Sequence, residues 1–265
     1  VVHLEGCFEK IPNCNLAQIC ADEIKKANNI VLLSGAGMST NAGIPDFRGP
    51  NGIYRRQLGV NPERIFDIDY FLEDPSFFYK FHREFLQTLK NIKPTYAHKF
   101  FAALEKNGKL KGIITQNIDS LHQMAGSKNV MEIHGGIWKS FCIDCNKTWD
   151  YEESMKLVFS QEVPRCDRCG GIIKPDIVFF GEMVKHLEES QKLVKECDLL
   201  FVVGSSLVVT PAALLPRLAR GKIIIVNKGE TNKSYLPSNI PTLHVEQDID
   251  EFFKAVNYHI GLDFE

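Results

Sequence analysis

Short apolar runs and helical stripes alternate along most of this chain. Ile30 to Leu33 is a β-rich apolar run that ends near glycine, and Gly112 to Thr115, Val130 to Ile133, Leu199 to Val203 and Lys222 to Val226 repeat the theme. Runs of this length bounded by turn residues read as buried strands. Between them the apolar positions spread out. Leu16, Ile19, Cys20 and Ile24 recur at helical intervals within Asn15 to Ala27. Thr95 to Lys106, Leu187 to Glu196 and Ala212 to Ala219, the last after Pro211, predict further helices. From Phe66 to Leu89 the pattern is helical and aromatic, with Pro75 placed to start a helix. Phe77, Phe78, Phe81 and Phe85 in that stretch are expected to be core and groove wall. Strands alternating with helices predict an α/β fold, a parallel sheet covered on both faces. Two stretches interrupt the alternation, around residues 50–95 and 138–174. The expected organisation is one unit built from 1–49, 96–137 and 175–265, a helical insertion at 50–95, and a separate module at 138–174.

Composition narrows the classes of partner. The 265 residues suffice for a large core, and 44% apolar with 24% charged is ordinary for a globular chain. A net charge of −2 gives no electrostatic case for nucleic acid or a membrane surface, and no apolar run reaches the length of a membrane span. Val1-Val2-His3-Leu4-Glu5 has no basic region followed by an apolar stretch, so no signal peptide is expected and a cytoplasmic location is. The missing initiator Met fits a trimmed or processed chain. Of eight cysteines, four form two Cys-x-x-Cys pairs, Cys142 with Cys145 and Cys166 with Cys169, 20 residues apart. That spacing matches a four-thiolate zinc ribbon, with two disulfides or four buried thiols as the alternative. Gly170-Gly171 permits the sharp turn after the last cysteine. Four thiolates close the coordination shell, so one structural Zn2+ is expected. Cys7, Cys14, Cys20 and Cys197 are scattered and read as structural thiols.

Three stretches carry candidate chemistry. Gly35-Ala36-Gly37 follows the first strand at once, an order that brings bare N–H groups close to a diphosphate. A third glycine of the dinucleotide fingerprint would fall at Thr40, so a plain strand-end turn stays open at this point. Pro45 ends regular structure, and Asp46, Phe47 and Arg48 then set an acid, a ring and a guanidinium side by side. Gln116-Asn117-Ile118-Asp119 lies just past a strand's carboxyl end, where α/β sheets bind ligands. His134 follows the third strand and titrates near neutrality, as a general base requires.

Together these segments resemble the sirtuins, the NAD-dependent protein lysine deacylases. The matching residues are Gly35 through Arg48, Thr115 through Asp119, His134-Gly135, the four paired cysteines, Lys174 through Glu182, Gly204-Ser205-Ser206, and Val226-Asn227. They run from about residue 15 to 255, and Gly49-Pro-Asn-Gly-Ile-Tyr54 continues the form common in bacterial and archaeal members. The resemblance implies a Rossmann-like sheet with a small zinc-ribbon module and a helical insertion. It also implies a reaction: an acyl-lysine carbonyl oxygen attacks C1′ of the nicotinamide ribose and nicotinamide leaves. A ribose hydroxyl and water then release free lysine and O-acyl-ADP-ribose. NAD is consumed as a cosubstrate. His134 would be the base for a ribose hydroxyl, and Asn117, with Gln116, would bind ribose hydroxyls and a water. Ile118 and Asp119 would hold the nicotinamide carboxamide, and Phe47 would shield C1′. Arg48 would face the phosphates or help order the loop. Ser205, Ser206 and Asn227 would contact the adenosine ribose. The implied cofactor set is completed by Gly35, Ala36, Gly37, Ser39, Thr40, Asp46, Tyr54, Gly204 and Ile249. Val178-Phe179-Phe180-Gly181 resembles the segment to which an acyl-peptide adds as a strand.

One departure bears on the acyl group. Sirtuins that prefer negatively charged acyl chains carry Tyr-x-x-Arg in the helical insertion. Here Tyr79 is followed at that spacing by His82, with Arg83 one residue late and about 100° around a helix. Uncharged acyl groups such as acetyl are expected, on lysine side chains of proteins, by a monomer. A mono-ADP-ribosyltransferase using the same cleft is the alternative reaction. A zinc-ribbon interaction module that binds NAD without chemistry is the alternative of another class.

Overall fold

In chain order the computed structural model, which describes residues 13–44 and 62–264, runs α1 (Asn13–Lys26), β1 (Ile30–Ser34), α2 (Ile68–Glu73), α3 (Pro75–Leu89), α4 (Tyr96–Lys106), β2 (Leu110–Thr115), α5 (Leu121–Met124) and β3 (Val130–Glu132). There follow β4 (Gly135–Cys142), β5 (Thr148–Asp150), α6 (Tyr151–Ser160), β6 (Ile173–Ile177), α7 (Leu187–Glu196), β7 (Leu199–Val203), β8 (Lys222–Val226), β9 (Thr242–Val245) and α8 (Ile249–Ile260). Ala212–Leu218 is 3-10 rather than the α-helix its spacing predicts. Pro216 inside it has no amide to donate and crowds the preceding turn.

The strands form a six-stranded sheet in the order β3-β2-β1-β7-β8-β9, parallel throughout. Alternation along β1 serves two cores. Ile30 and Leu32 pack with α1, α4 and α8, including Phe101 and Phe253; Val31 and Leu33 pack on the other face with Val194 of α7 and Leu215. Each such side chain contributes about 1.5–3 kcal/mol on burial. Strands before β7 build outward from β1 in one direction, and β7 to β9 in the other. The chain therefore switches direction between β1 and β7, and the carboxyl ends of these two strands flank a crevice.

A second, three-stranded sheet, β5-β4-β6, is antiparallel and extends from Gly135 to Ile177. Asp150 and Glu153 form a capping box on α6, fixing it against this sheet. An aromatic core joins the insertion to both sheets: Phe71, Phe78 and Phe85 of α2 and α3 pack with Ile118, Ile137, Ile177 and Phe179. Phe78, Phe81 and Phe85 are buried, as their pattern predicts, and Phe77 is packed at the edge of that core. Cys20 and Cys197 are buried free thiols. Among the described residues no helix is long and apolar enough to cross a membrane.

Candidate functional site

At the switch point two glycine turns meet. Gly35 N–H donates to Val203 O at 3.0 Å and Gly37 N–H to Gly204 O at 2.8 Å. A Cβ on Gly35 would lie 2.7 Å from Gly204 O, and one on Gly204, whose φ is +64°, would lie 2.1 Å from Met38 N. The close approach that a third local glycine would allow is thus supplied by Gly204 from β7, and Thr40 is free to be threonine. Thr40 Oγ1 donates back to Gly37 O at 3.0 Å, bracing the turn. With no Cβ at Gly35, Gly37 or Gly204, the backbone of this cradle at the strand ends is bare, as a diphosphate-binding turn requires.

Beside the cradle, β2 delivers its polar turn. Asn117 is buried and donates from Nδ2 to Gly35 O at 3.0 Å and to Ser39 Oγ at 3.2 Å. Ser39 Oγ in turn donates to Asp119 Oδ2 at 2.6 Å, and the other Asp119 oxygen accepts Leu121 N–H at 2.9 Å. Burial holds the Asp119 carboxyl above its ordinary range, opposed by those donors. Ala36, Ser39, Ile44, Asn117, Ile118 and Asp119 line one recess, closed by Phe85. The recess has apolar walls with amide and carboxylate groups at one end. Gln116 reaches the opposite way and donates from Nε2 to Ser205 Oγ at 3.0 Å, linking the ends of β2 and β7.

His134 closes the third side. Its Nδ1 lies 3.1 Å from Gln116 O, an acceptor only, so Nδ1 carries the proton and Nε2 keeps its lone pair. Burial lowers its pKa, and the bond to the Gln116 carbonyl opposes that shift. Its own carbonyl accepts Val178 N–H at 2.8 Å, which ties the base to the 178–181 segment. That segment is not part of a ladder. Phe180 makes one isolated bridge to Asp67, donating to Phe66 O at 2.6 Å and accepting from Ile68 N–H at 3.1 Å. Phe179 is buried against Phe66, Phe71 and Phe78, and Gly181 turns at φ +93°.

The remaining expected residues are spread around this centre. Ser206 O accepts Asn232 N–H at 2.8 Å, and Asn227 Nδ2 orders the next loop through Gly229 O at 2.9 Å and Thr231 Oγ1 at 3.2 Å. Ile249 is buried at the start of α8, next to Asp248, which Asn41 Nδ2 reaches at 3.1 Å. Asp46, Phe47, Arg48 and Tyr54 lie outside the described residues. A buried polar network that sequence reasoning missed lies below Asn117. Thr115 Oγ1 accepts Asn117 N–H at 3.1 Å and bonds Ser34 Oγ at 2.9 Å, and Ser34 lies 2.9 Å from His122 Nε2. His122 and His98 face each other with ring centroids 4.8 Å apart, and burial keeps both neutral. No local pattern marks a histidine as part of such a network; only the pairing of β1 with β2 brings it there.

In the helical insertion, His82 is buried on the face of Phe78, with centroids 5.1 Å apart, and burial pushes its pKa down to about 3. Tyr79 donates its hydroxyl to Ile173 O. Arg83 points away, donating from Nε to Val158 O at 2.8 Å and from Nη2 to Gln161 O at 2.6 Å, where it caps the end of α6.

The four paired cysteines converge. Their Sγ atoms all lie within 4.8 Å of one another, with Cys142 and Cys169 at 3.4 Å and Cys145 and Cys166 at 3.7 Å. A tetrahedron with Zn–S of about 2.3 Å has edges of roughly 3.8 Å, so the donor set and spacing fit one zinc ion with no open position. Two tight turns hold the pairs, through Asn146 N–H to Cys142 O at 3.0 Å and Gly170 N–H to Cys166 O at 2.8 Å.

The chain is similar to known proteins over most of its length. A model of the Sir2 family matches residues 35–211. An NAD-dependent protein deacetylase of Thermotoga maritima is 44% identical over 246 residues, covering 91% of this chain and 97% of the relative. One of Saccharolobus solfataricus is 41% identical over 244 residues, with 91% and 97% covered. A solved Sir2 with p53 peptide and NAD+ superposes with TM-score 0.82 at 40% identity, covering 93% of this chain and 99% of that one. A Sir2 bound to a propionylated peptide gives 0.81 at 38% identity over the same shares.

Proposed function

The chain belongs to the Sir2 family, and from that premise we infer how its residues divide the work of an NAD-dependent protein lysine deacetylase. The enzyme removes the acyl group from acyl-lysine and consumes NAD, and its four paired cysteines bind one structural Zn2+. NAD supplies the ribose carbon that is attacked and the ADP-ribose that carries the acyl group away. One observation carries the reading: hydrogen bonds join Gly35 to Asn117 and, through Ser39, to Asp119, and join Gln116 both to Ser205 and to His134, whose carbonyl holds Val178 N–H.

His134 takes a proton from a ribose hydroxyl at Nε2, while Gln116 O holds the proton on Nδ1. Its depressed pKa keeps the lone pair available at neutral pH. Asp119, with Ile118, holds the nicotinamide carboxamide, and Asn117, with Gln116, serves ribose hydroxyls and a water; Ser39 bonds both Asn117 and Asp119. Gly35, Gly37 and Gly204 admit the diphosphate; Ser205, Ser206 and Asn227 serve the adenosine ribose from neighbouring strand ends. Asp46, Phe47, Arg48 and Tyr54 take the roles implied by the family likeness. Among the described residues, Val178 C=O and Gly181 N–H have no backbone partner, and an extended acyl-peptide would pair with these. A monomer is taken as the competent unit. Reduced thiolates at the metal support a reducing compartment such as the cytoplasm.

Incubation with acetyl-peptide and NAD, with products weighed by mass spectrometry, tests the reaction. Deacetylated peptide, nicotinamide and O-acetyl-ADP-ribose are expected in equal amounts. Protein carrying ADP-ribose, with no acyl release, would overturn it in favour of the transferase.

A further inference from the structure

Lys174 is only 1% exposed and has no part in the chemistry above. It stands on β6, opposite Phe141 of β4, one residue from the Ile173 that pairs with metal-holding Cys142. Its ammonium leaves the metal sheet and enters the loop that follows. There it donates to Ile177 O at 2.6 Å and to Glu182 Oε2 at 2.8 Å. It also sits 4.0 Å from the centroid of the Phe179 ring and 5.5 Å from that of Phe141, in range for cation–π attraction. The same Glu182 oxygen accepts Phe179 N–H at 2.8 Å, and Glu182 N–H returns to Phe179 O at 3.0 Å. The stretch from Ile177 to Glu182 is thus wrapped around one ammonium, and Gly181 at φ +93° closes the turn.

A lysine so buried loses hydration, and burial lowers its pKa while Glu182 opposes the shift. Replacement of such a pair by apolar groups is often neutral for stability, so stability alone does not account for it. What the pair does provide is a fixed backbone. It consumes both main-chain groups of Phe179, and among the described residues Val178 C=O and Gly181 N–H carry no backbone bond and are available to a partner.

We propose that Lys174 is a positioning residue for the acyl-peptide: its ammonium holds residues 178–181 in the shape a peptide strand pairs with, and ties that shape to the metal sheet. The proposal rests on the reading of Val178–Gly181 as the peptide segment. The expected signature is selective. Hydrogen bonds to a charged group are worth about 1.5–3 kcal/mol, or roughly 10- to 150-fold. Lys174→Met should raise the KM for acetyl-peptide at least about tenfold, while the KM for NAD changes less than about twofold and one zinc per chain is retained.

Because Lys174→Met strands a carboxylate and can fail to fold, the double variant Lys174→Met/Glu182→Leu is measured beside it. With both charges gone it should fold with near-native stability and still show weakened peptide binding, read by anisotropy of a labelled acetyl-peptide. A folded double variant with wild-type peptide affinity overturns the clamp. Gly181→Val separates this from failure of the underlying reading, since its Cβ would lie 2.8 Å from Ile68 Cγ2 at a positive φ. If Gly181→Val weakens peptide binding and the double variant does not, only the clamp fails. If both bind peptide normally, the segment is not the peptide site and both ideas fall.

Discussion

Replacing His82 tests how the enzyme selects its acyl group. His82 is 2% exposed, stacks on Phe78 and titrates at about 3, so it is neutral at any pH used for assay. The neighbouring guanidinium of Arg83 is committed to carbonyls of α6 and its C-terminal turn. Among the described residues of this helix, a carboxylate-tipped acyl chain reaching this wall would find no uncommitted counter-charge. An unpaired ion costs several kcal/mol to bury even after relaxation, and each 1.4 kcal/mol is tenfold. Succinyl-peptide should therefore be turned over at least about 10²-fold more slowly than acetyl-peptide at pH 8. The ratio should be the same at pH 6. A histidine with the ordinary pKa near 6.5 would gain charge over that interval and draw the ratio towards succinyl. His82→Arg places a permanent cation on the face of Phe78 and near Tyr79, with the Arg83 cation close by. An uncompensated buried charge costs about 3–5 kcal/mol, a large share of a usual total of about 5–15. The variant should melt lower when free, recover when NAD and succinyl-peptide are added together, and shift relative turnover towards succinyl. Peptide mass assays at both pH values and thermal melts are the measurements. Equal wild-type turnover of the two acyl groups, or a ratio that moves between pH 8 and pH 6, would refute this account of the helix.

His134→Ala should lose about 10²–10⁴ in kcat/KM with NAD binding intact by calorimetry, and the acid limb of the wild-type kcat/KM profile should lie below the ordinary histidine value, because burial lowers this pKa. Cys166→Ser should abolish bound zinc by metal analysis and expose amides of β4 to β6 to hydrogen exchange while the six-stranded sheet stays protected; fully active protein without zinc would contradict it. Acid should destabilise the fold early. His82 and His122 both titrate at about 3 when folded and near 6.5 when unfolded, so the unfolded state binds more protons between those values and stability falls as pH drops through 6.5. At pH 5 each contributes a loss of about 2 kcal/mol, to be read from urea midpoints at pH 7 and pH 5.

What was legible in the chain divides along physical lines. The parallel sheet could be read because strands buried on both faces are unbroken apolar runs, as in Leu199 to Val203, where every residue is buried. The metal centre could be read because its ligands come as two local turns. α8 is not among the predicted helices, although Phe252, Phe253 and Val256 recur at helical spacing on its buried face. The third glycine of the cradle was sought at Thr40 and is found at Gly204, because close approach is a property of two strands side by side. Lys174 is the sharper case. In sequence it looks like a solvated charge leaving the cysteine module, and the ordinary expectation for a lone lysine is exposure. Its burial follows only when β6 pairs with β4 and the next turn folds back to bring Glu182 and Phe179 around the ammonium. The same pairing aligns Ile173 with Cys142, so the strand that helps frame the metal also carries the cation that shapes the neighbouring loop. A structural zinc remote from the reacting atoms can in this way govern substrate binding through one buried side chain. That predicts an order of loss during gentle chelation: peptide affinity should fall before NAD affinity does, and simultaneous loss of both would mean that the metal sheet supports the whole fold and not the peptide segment in particular.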